Sequence, residues 1–409
     1  MMATELVTTT DLGALNARRL ADAIVASGAI SRAQLARDTG LSKPTVSIAL
    51  ARLESAGLVR EVGRTQGGRG ATALLYDLAP DVGTSLALDV GRRWIRSRVC
   101  DLTGRDRGTV VQPTKGTSAA ALGDQLVSQV TETLREAGVA DGRLVAATLG
   151  VPGVLVPEGN RVRLAPRMPG LQSPEVLARL HRAIGVDIHV ENDVNLAATA
   201  ELALGHGRHA PDFVYLSVGT GVGLALVLNG ELRSGATGSA GEVGYLPFPA
   251  AGASSPVGTV RPGKPGPYEA RVAADGLVRG AKARGLKVRT AQEVVEAGRV
   301  GDARAMDALT EEAELLAAGI ATVCAIVDPG LVVLGGGLGV GGADVLLPLL
   351  HKALRQLTPL RPTVVASELG DHAVLDGAVV DAVANAQETV LGTITGHHRG
   401  RLAAAQEAP

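Results

Sequence analysis

At 409 residues the chain is too long for one compact core, and two or three domains are expected. Hydrophobic residues make up 46% but aromatics only 2%, so the interior must be built from Ala, Val and Leu around Gly-rich turns. No apolar run is long enough to cross a membrane, two lone cysteines (Cys100 and Cys324) exclude a disulfide framework or a cysteine metal site, and a net charge of −1 excludes a polycation.

That charge is unevenly spread. From Ala14 to Ala79 nine Lys/Arg face five Asp/Glu, a net of +4, which leaves −5 for the remainder. A small basic module on a larger acidic body suggests a partner for the first part that the second does not share. Residues 1–13 are Thr-rich and acidic and read as a flexible N-terminus without a basic-then-apolar signal pattern. Two buried thiols and no leader give a cytoplasmic expectation.

Residues 14–80 carry three short helical patterns followed by two strand-like runs. Leu20 and Ile24 mark the first helix. Ser31-Arg32-Ala33-Gln34 is a capping-box pattern opening the second. After a Gly40-Leu41 turn, Ser42 is placed to cap a third helix, and Pro44 is tolerated in its first turn. At 3.6 residues per turn Val46, Ala49, Leu50 and Leu53 share one face. Thr45, Ser47, Ile48, Ala51 and Arg52 lie on the other, a small, hydroxylated, lightly basic surface suited to a DNA major groove. Ile48 is placed to touch a thymine methyl. The runs Leu58–Val62 and Ala73–Leu78 flank a Gly-rich tip holding Arg64 and Arg69, the expected wing, with Arg69 able to enter a minor groove. The predicted DNA-facing set is Ser42, Lys43, Thr45, Ser47, Ile48, Arg52, Arg64 and Arg69 of a winged helix-turn-helix; a helical dimerisation module with a solvated hairpin is the alternative.

From Asp81 strands alternate with helices. Thr84–Val90 and Trp94–Cys100 form a hairpin pattern around Asp89-Val90-Gly91-Arg92-Arg93, with a third strand near Gly108. Leu122, Leu126, Val130 and Leu134 mark a helix over 118–137, and Leu144–Leu149 a buried strand ending in Gly150-Val151-Pro152-Gly153. Val186–Val190 leads through Glu191-Asn192-Asp193 into an Ala-rich helix. Phe213–Val218 runs into Gly219-Thr220-Gly221-Val222-Gly223, and Asn229-Gly230 is a preferred hairpin turn. A long helix over 302–326 precedes Leu331–Leu334 and three glycines. Polar groups at strand ends beside Gly-rich turns mark where an α/β protein binds ligands.

These segments resemble the ROK family of sugar kinases and transcriptional repressors, within the actin-like ATPase superfamily. The motifs Gly150-x-Pro152-Gly153, Glu191-Asn192-Asp193, Gly219-Thr220-Gly221-Val222-Gly223, Ala240-Gly241-Glu242-Val243-Gly244, Val333-Leu334-Gly335-Gly336-Gly337 and Leu369-Gly370-Asp371 fall in the family's order, and the N-terminal module matches its regulator branch. The resemblance implies an α/β body of two actin-like (ribonuclease-H-like, ATPase-type) lobes behind the winged module. The first lobe is expected over 81–195 with 375–409 packing back on it, the second over 196–374, and a ligand cleft between them. It also implies an effector set of Asn192, Asp193, Glu242, Tyr245, Glu269 and Gly221, in which Asp193 occupies the position of the kinase base. Structural alternatives stand beside these assignments: Asn192-Asp193 as a helix cap, Glu242 as a surface hairpin residue, Glu269 as a helix-start acid.

Three departures from the family pattern bear on function. Where the kinases place Gly-Thr after Asp-x-Gly, this chain has Arg92-Arg93, too bulky for a close approach of backbone to phosphate, so ATP is not expected. Tyr245 replaces the family's His, and 247–267 contains no Cys, so the family's zinc site cannot form and no metal is expected. His206 and His209 lack further ligands. Arg167-Met168 stands where an Asn is usual, pointing to an altered ligand with an acid or phosphate group. The resulting expectation is a non-catalytic transcriptional repressor, a homodimer or homotetramer on a palindromic operator, controlled by a sugar or sugar derivative. The alternatives are an ATP-dependent sugar kinase with an appended DNA-binding domain and a regulator without small-molecule control.

Overall fold

The computed structural model describes residues 9–65, 72–139, 143–156, 161–165, 167–249, 260 and 264–395. The N-terminal module comprises α1 (Thr9–Ser27), β1 (Ile30–Ser31), α2 (Arg32–Thr39), α3 (Lys43–Ser55), β2 (Val59–Arg64) and β3 (Leu74–Leu78). β3 is the centre of a three-stranded sheet in the order β1-β3-β2. α1 already begins at Thr9, so the segment assigned to a flexible N-terminus is helical over residues 9–13. Ser31 caps α2 by accepting from the Gln34 N–H, and Gly40 ends it with φ of 66°, a left-handed conformation that glycine adopts without penalty. Ser42 caps α3 in turn.

The body follows as β4 (Thr84–Val90), β5 (Trp94–Asp101), β6 (Asp106–Pro113), α4 (Ala119–Glu136), β7 (Leu144–Val151), β8 (Val154–Val156), β9 (Arg161–Arg163), α5 (Pro174–Ile184), β10 (Ile188–Asn192) and α6 (Asp193–Leu204). Next come β11 (Phe213–Val218), β12 (Val222–Leu228), β13 (Glu231–Leu232), α7 (Glu269–Val272), α8 (Ala274–Ala283), α9 (Ala291–Arg299) and α10 (Ala303–Val327). The chain then gives β14 (Leu331–Gly335), α11 (Gly336–Gly341), α12 (Ala343–Leu357), β15 (Thr363–Ala366) and α13 (Ala373–Thr395).

Two five-stranded sheets result, ordered β10-β7-β4-β5-β6 and β13-β12-β11-β14-β15. Read from opposite edges they have one topology: an antiparallel three-strand meander, then two strands added parallel to its first. β4 is buried at every position, as a strand covered on both faces must be, which explains its run of Ser, Leu, Ala and Val. In the first lobe α4 and α5 cover one face through Leu122, Leu126, Val130, Leu177 and Leu180. In the second, α10 is the central helix beneath the sheet, with Leu309, Leu316 and Ile320 fully enclosed.

The last helix of each half crosses to the other. α6 follows the first sheet but packs through Ala197 and Ala198 against Phe213, Tyr215 and Val227 of the second. α13 follows the second sheet and packs back on β4, β5 and β7, with Leu375, Ala378 and Ala382 against Ala87 and Leu196. A lobe division at 195/196 falls inside α6, which meets the second sheet through Ala197 and Ala198 and meets Ala87 and α13 through Leu196.

Candidate functional site

β10 ends and α6 begins at Asn192-Asp193. The Asn192 side chain is committed to that junction: Oδ1 accepts from the Val194 and Asn195 N–H groups at 2.9 and 3.3 Å, and Nδ2 donates to the Gly153 carbonyl at 3.0 Å. Asn192 is thus the cap of α6, and it ties the Gly150–Gly153 turn to the helix start. Asp193 accepts from the Val194 N–H at 2.9 Å. Burial, with the Asp89 and Glu242 carboxylates nearby, pushes its carboxyl up to about 7.

Glu242, Tyr245 and Glu269 come together from the second lobe. Burial and then the Glu269 charge raise the Glu242 carboxyl, and burial raises Glu269 against the pull of Arg167. Tyr245 is raised by burial and by both carboxylates, which places its hydroxyl in the same field. Gly221 lies beside them, since a Cβ built there would sit 3.5 Å from Glu269 Oε1. Asp193, Glu242, Tyr245, Glu269 and Gly221 are therefore neighbours in one electrostatic cluster. With its carboxyl near 7, Asp193 carries a proton part of the time near neutrality and can donate as well as accept hydrogen bonds, which suits sugar hydroxyls.

Arg167 reaches this cluster from the segment after β9. Its Nη2 donates to Glu269 Oε1 at 3.4 Å and its Nη1 faces Asp275 Oδ2 at 3.5 Å, while the buried Nε has no hydrogen-bond partner among the described residues. The guanidinium that the sequence associates with a ligand's acid group is thus engaged with the protein's own carboxylates.

At the Asp89 hairpin the structure departs from expectation. Arg92 and Arg93 are exposed at the tip and make no ion pair or side-chain hydrogen bond among the described residues. The group that occupies Asp89 is Arg96 on β5: Nη1 donates to Asp89 Oδ2 at 3.1 Å and to the Asp371 carbonyl at 2.7 Å. Burial still pushes the Asp89 carboxyl up to about 6. Arg96 was not singled out by sequence reasoning. Its signal was the alternation of Trp94, Arg96 and Arg98 along one face of a strand. His206 and His209 lie in a short turn, where His206 Nε2 faces Glu368 at 3.6 Å.

The second surface is α3. Val46, Ala49, Leu50 and Leu53 are buried in the module's core, and Ser42, Lys43, Ser47 and Arg52 are exposed, with Thr45 half-buried. Ser42 Oγ and Thr45 Oγ1 lie 2.8 Å apart across the cap. Ile48 is 72% exposed on a helix with no need of it for packing. Arg52 leans toward α1, where a Cβ built on Gly13 would lie 3.3 Å from its Nη1. Arg64 is exposed at the end of β2, and Arg69 lies outside the described residues.

Comparisons with known proteins agree with this division. The model of the ROK family matches residues 85–384, and that of the MarR family matches residues 12–70. The xylose repressor of Bacillus subtilis (strain 168) is 25% identical over 232 residues, covering 57% of this chain and 60% of the repressor. The glucokinase of Streptomyces coelicolor is 29% identical over 318 residues, covering 73% of this chain and 96% of the kinase. Among solved structures, a ROK family transcriptional regulator described as a homolog of the E. coli MLC protein superposes with a TM-score of 0.75. It is 20% identical and covers 95% of this chain and 100% of its own, a likeness of fold.

Proposed function

The chain belongs to the ROK family, and from that premise we propose that it is a DNA-binding transcriptional repressor whose operator affinity is set by a sugar or sugar derivative bound between the lobes. The observation that carries this reading is the conjunction of a capped α3 with an unburied reading face and a body holding Asp193, Glu242 and Glu269 in one cluster. A ligand acts here only through its different affinity for two arrangements of the lobes. Paired modules in a homodimer or homotetramer would meet a palindromic operator with half-sites on one face of the duplex.

The reading is non-catalytic and needs no zinc and no ATP. Asp193 keeps the position of a base, but Asp89, the group that would anchor nucleotide phosphate through a metal, is neutralised by Arg96. The absence of Cys from 247–267 removes the thiolates of a family-type zinc site. Action on DNA fits a cytoplasmic protein.

The test is a thermal-shift panel of neutral aldoses, beginning with D-xylose and D-glucose, then amino and phosphorylated derivatives, with Glu242→Ala as control. Ligand at about 100 times its Kd should stabilise the chain by roughly 2.7 kcal/mol, and Glu242→Ala should lose that shift. A panel without any shift, together with operator binding indifferent to every sugar, would favour a regulator free of small-molecule control. The likeness to a glucokinase and the retained Asp193 keep a kinase reading in view, and ADP release separates the two.

A further inference from the structure

The two ends of α13 belong to different parts of the molecule. Near its start the backbone at Gly377 lies directly on α6: a Cβ built there would fall 1.8 Å from the Leu196 carbonyl oxygen, so only glycine lets the two helices touch. Leu196 is one turn along from Asp193. The same end of α13 is clamped by β5. Arg96 holds the Asp371 carbonyl at 2.7 Å while paired with Asp89, and Arg98 Nη1 meets Asp376 Oδ1 at 3.0 Å.

The far end is built into the DNA module. Ala386, Val390 and Leu391 share one continuous apolar core with Ala17, Leu20, Ala21 and Ile24 of α1, and Arg18 is hydrogen-bonded to Glu388. That core also contains Val46, Leu50 and Leu53, the buried face of α3. Between Gly377 and Val390 the helix spans about 20 Å at 1.5 Å per residue. The winged module is thus packed on the body through α13.

We propose that α13 is a lever coupling the interlobe cleft to the DNA-reading helix: movement at the α6 start is transmitted at Gly377 and delivered to α1 and α3 at Val390–Leu391. This rests on the preceding reading of the cleft and of α3. Close-packed helices shear by small steps rather than deform, so a shift at one end of a rod gripped at both is passed on. Coupling of this kind is reciprocal, and DNA must therefore alter the cleft end with no sugar present.

The experiment takes the full chain and a duplex selected from random sequence by binding to it. Hydrogen exchange is read over 191–197 and 370–378 with and without saturating DNA. Exchange in both segments should change by about fivefold or more, the lower range of ordinary allosteric coupling. In the double variants Arg18→Ala/Glu388→Ala and Val390→Ala/Leu391→Ala, DNA should still bind while the response at 191–197 is lost. The first pair removes an ion pair between a half-buried arginine and an exposed glutamate and leaves the apolar core intact, so folding is not at stake. DNA-induced changes confined to residues 9–78, or a response undiminished in both variants, would overturn the lever. A chain that answers no sugar yet shows the response at 191–197 defeats the effector reading and leaves the lever standing; a chain that selects no duplex defeats the DNA reading on which the lever depends.

Discussion

A carboxyl group held near pH 7 by burial opposes folding whenever it is charged. Asp193 rises from 3.8 to about 7 in the folded chain, so between those values the folded state binds more protons than the unfolded one. Stability contributed by this group is full below about pH 4 and is lost as pH rises through 7. Asp193→Asn removes the titration, and the variant should melt above the wild type at pH 8, with the gap closing toward pH 5. A gap that is constant across that range would show that Asp193 is not held protonated. Arg96 is the reverse case, a cation whose removal leaves an enclosed carboxylate without a partner: Arg96→Ala should cost about 3 kcal/mol in urea unfolding. The two residues differ in how far the sequence reveals them. Asp193 sits in a recognisable run of three polar residues at the end of a strand. Arg96 looks like any strand residue, because its second partner, the Asp371 carbonyl, lies 275 positions away.

At the scale of elements, α3 is legible because its determinants are local. Cap, first-turn proline and apolar face all lie within the stretch from Ser42 to Leu53, and the buried set is the one that helical spacing assigns. Stability and recognition should therefore separate on this helix. Ser42→Ala removes the cap and should destabilise the module by about 1 kcal/mol. Ile48→Ala touches nothing buried and should leave the melting temperature unchanged, while weakening operator binding by about 1 kcal/mol, roughly fivefold in Kd, as an apolar contact with a base methyl is lost. Equal affinities for the wild type and the Ile48 variant in fluorescence anisotropy would place the DNA elsewhere than on this face. The start of α1 was less readable, since the Thr-rich run before Leu12 has weak helix propensity and no apolar periodicity to announce Thr9. Asn192 shows a third outcome. Its amide is the α6 cap, so its part at the cleft is to fix where Asp193 points.

At the scale of the molecule, periodicity shows that α6 and α13 are helices but not which sheet each covers. That is decided by shape: each half's closing helix fits across the other half, with Gly377 permitting the crossing. Hence the two halves are packed together beside Asp193, and whether the site does chemistry depends on the phosphate side. There the two lobes keep their Gly-rich turns, but the hairpin tip carries two exposed arginines and Asp89 is held by Arg96. A metal–nucleotide complex would have to displace a half-buried guanidinium from Asp89 and leave it without a carboxylate, a cost that sugar binding does not incur. A coupled assay with Mg-ATP and D-glucose or D-xylose should accordingly show no ADP release above the blank, and added ATP should not change the sugar's thermal shift. Turnover that disappears in Asp193→Asn would reverse the assignment, making the molecule a sugar kinase that carries its own DNA-binding module.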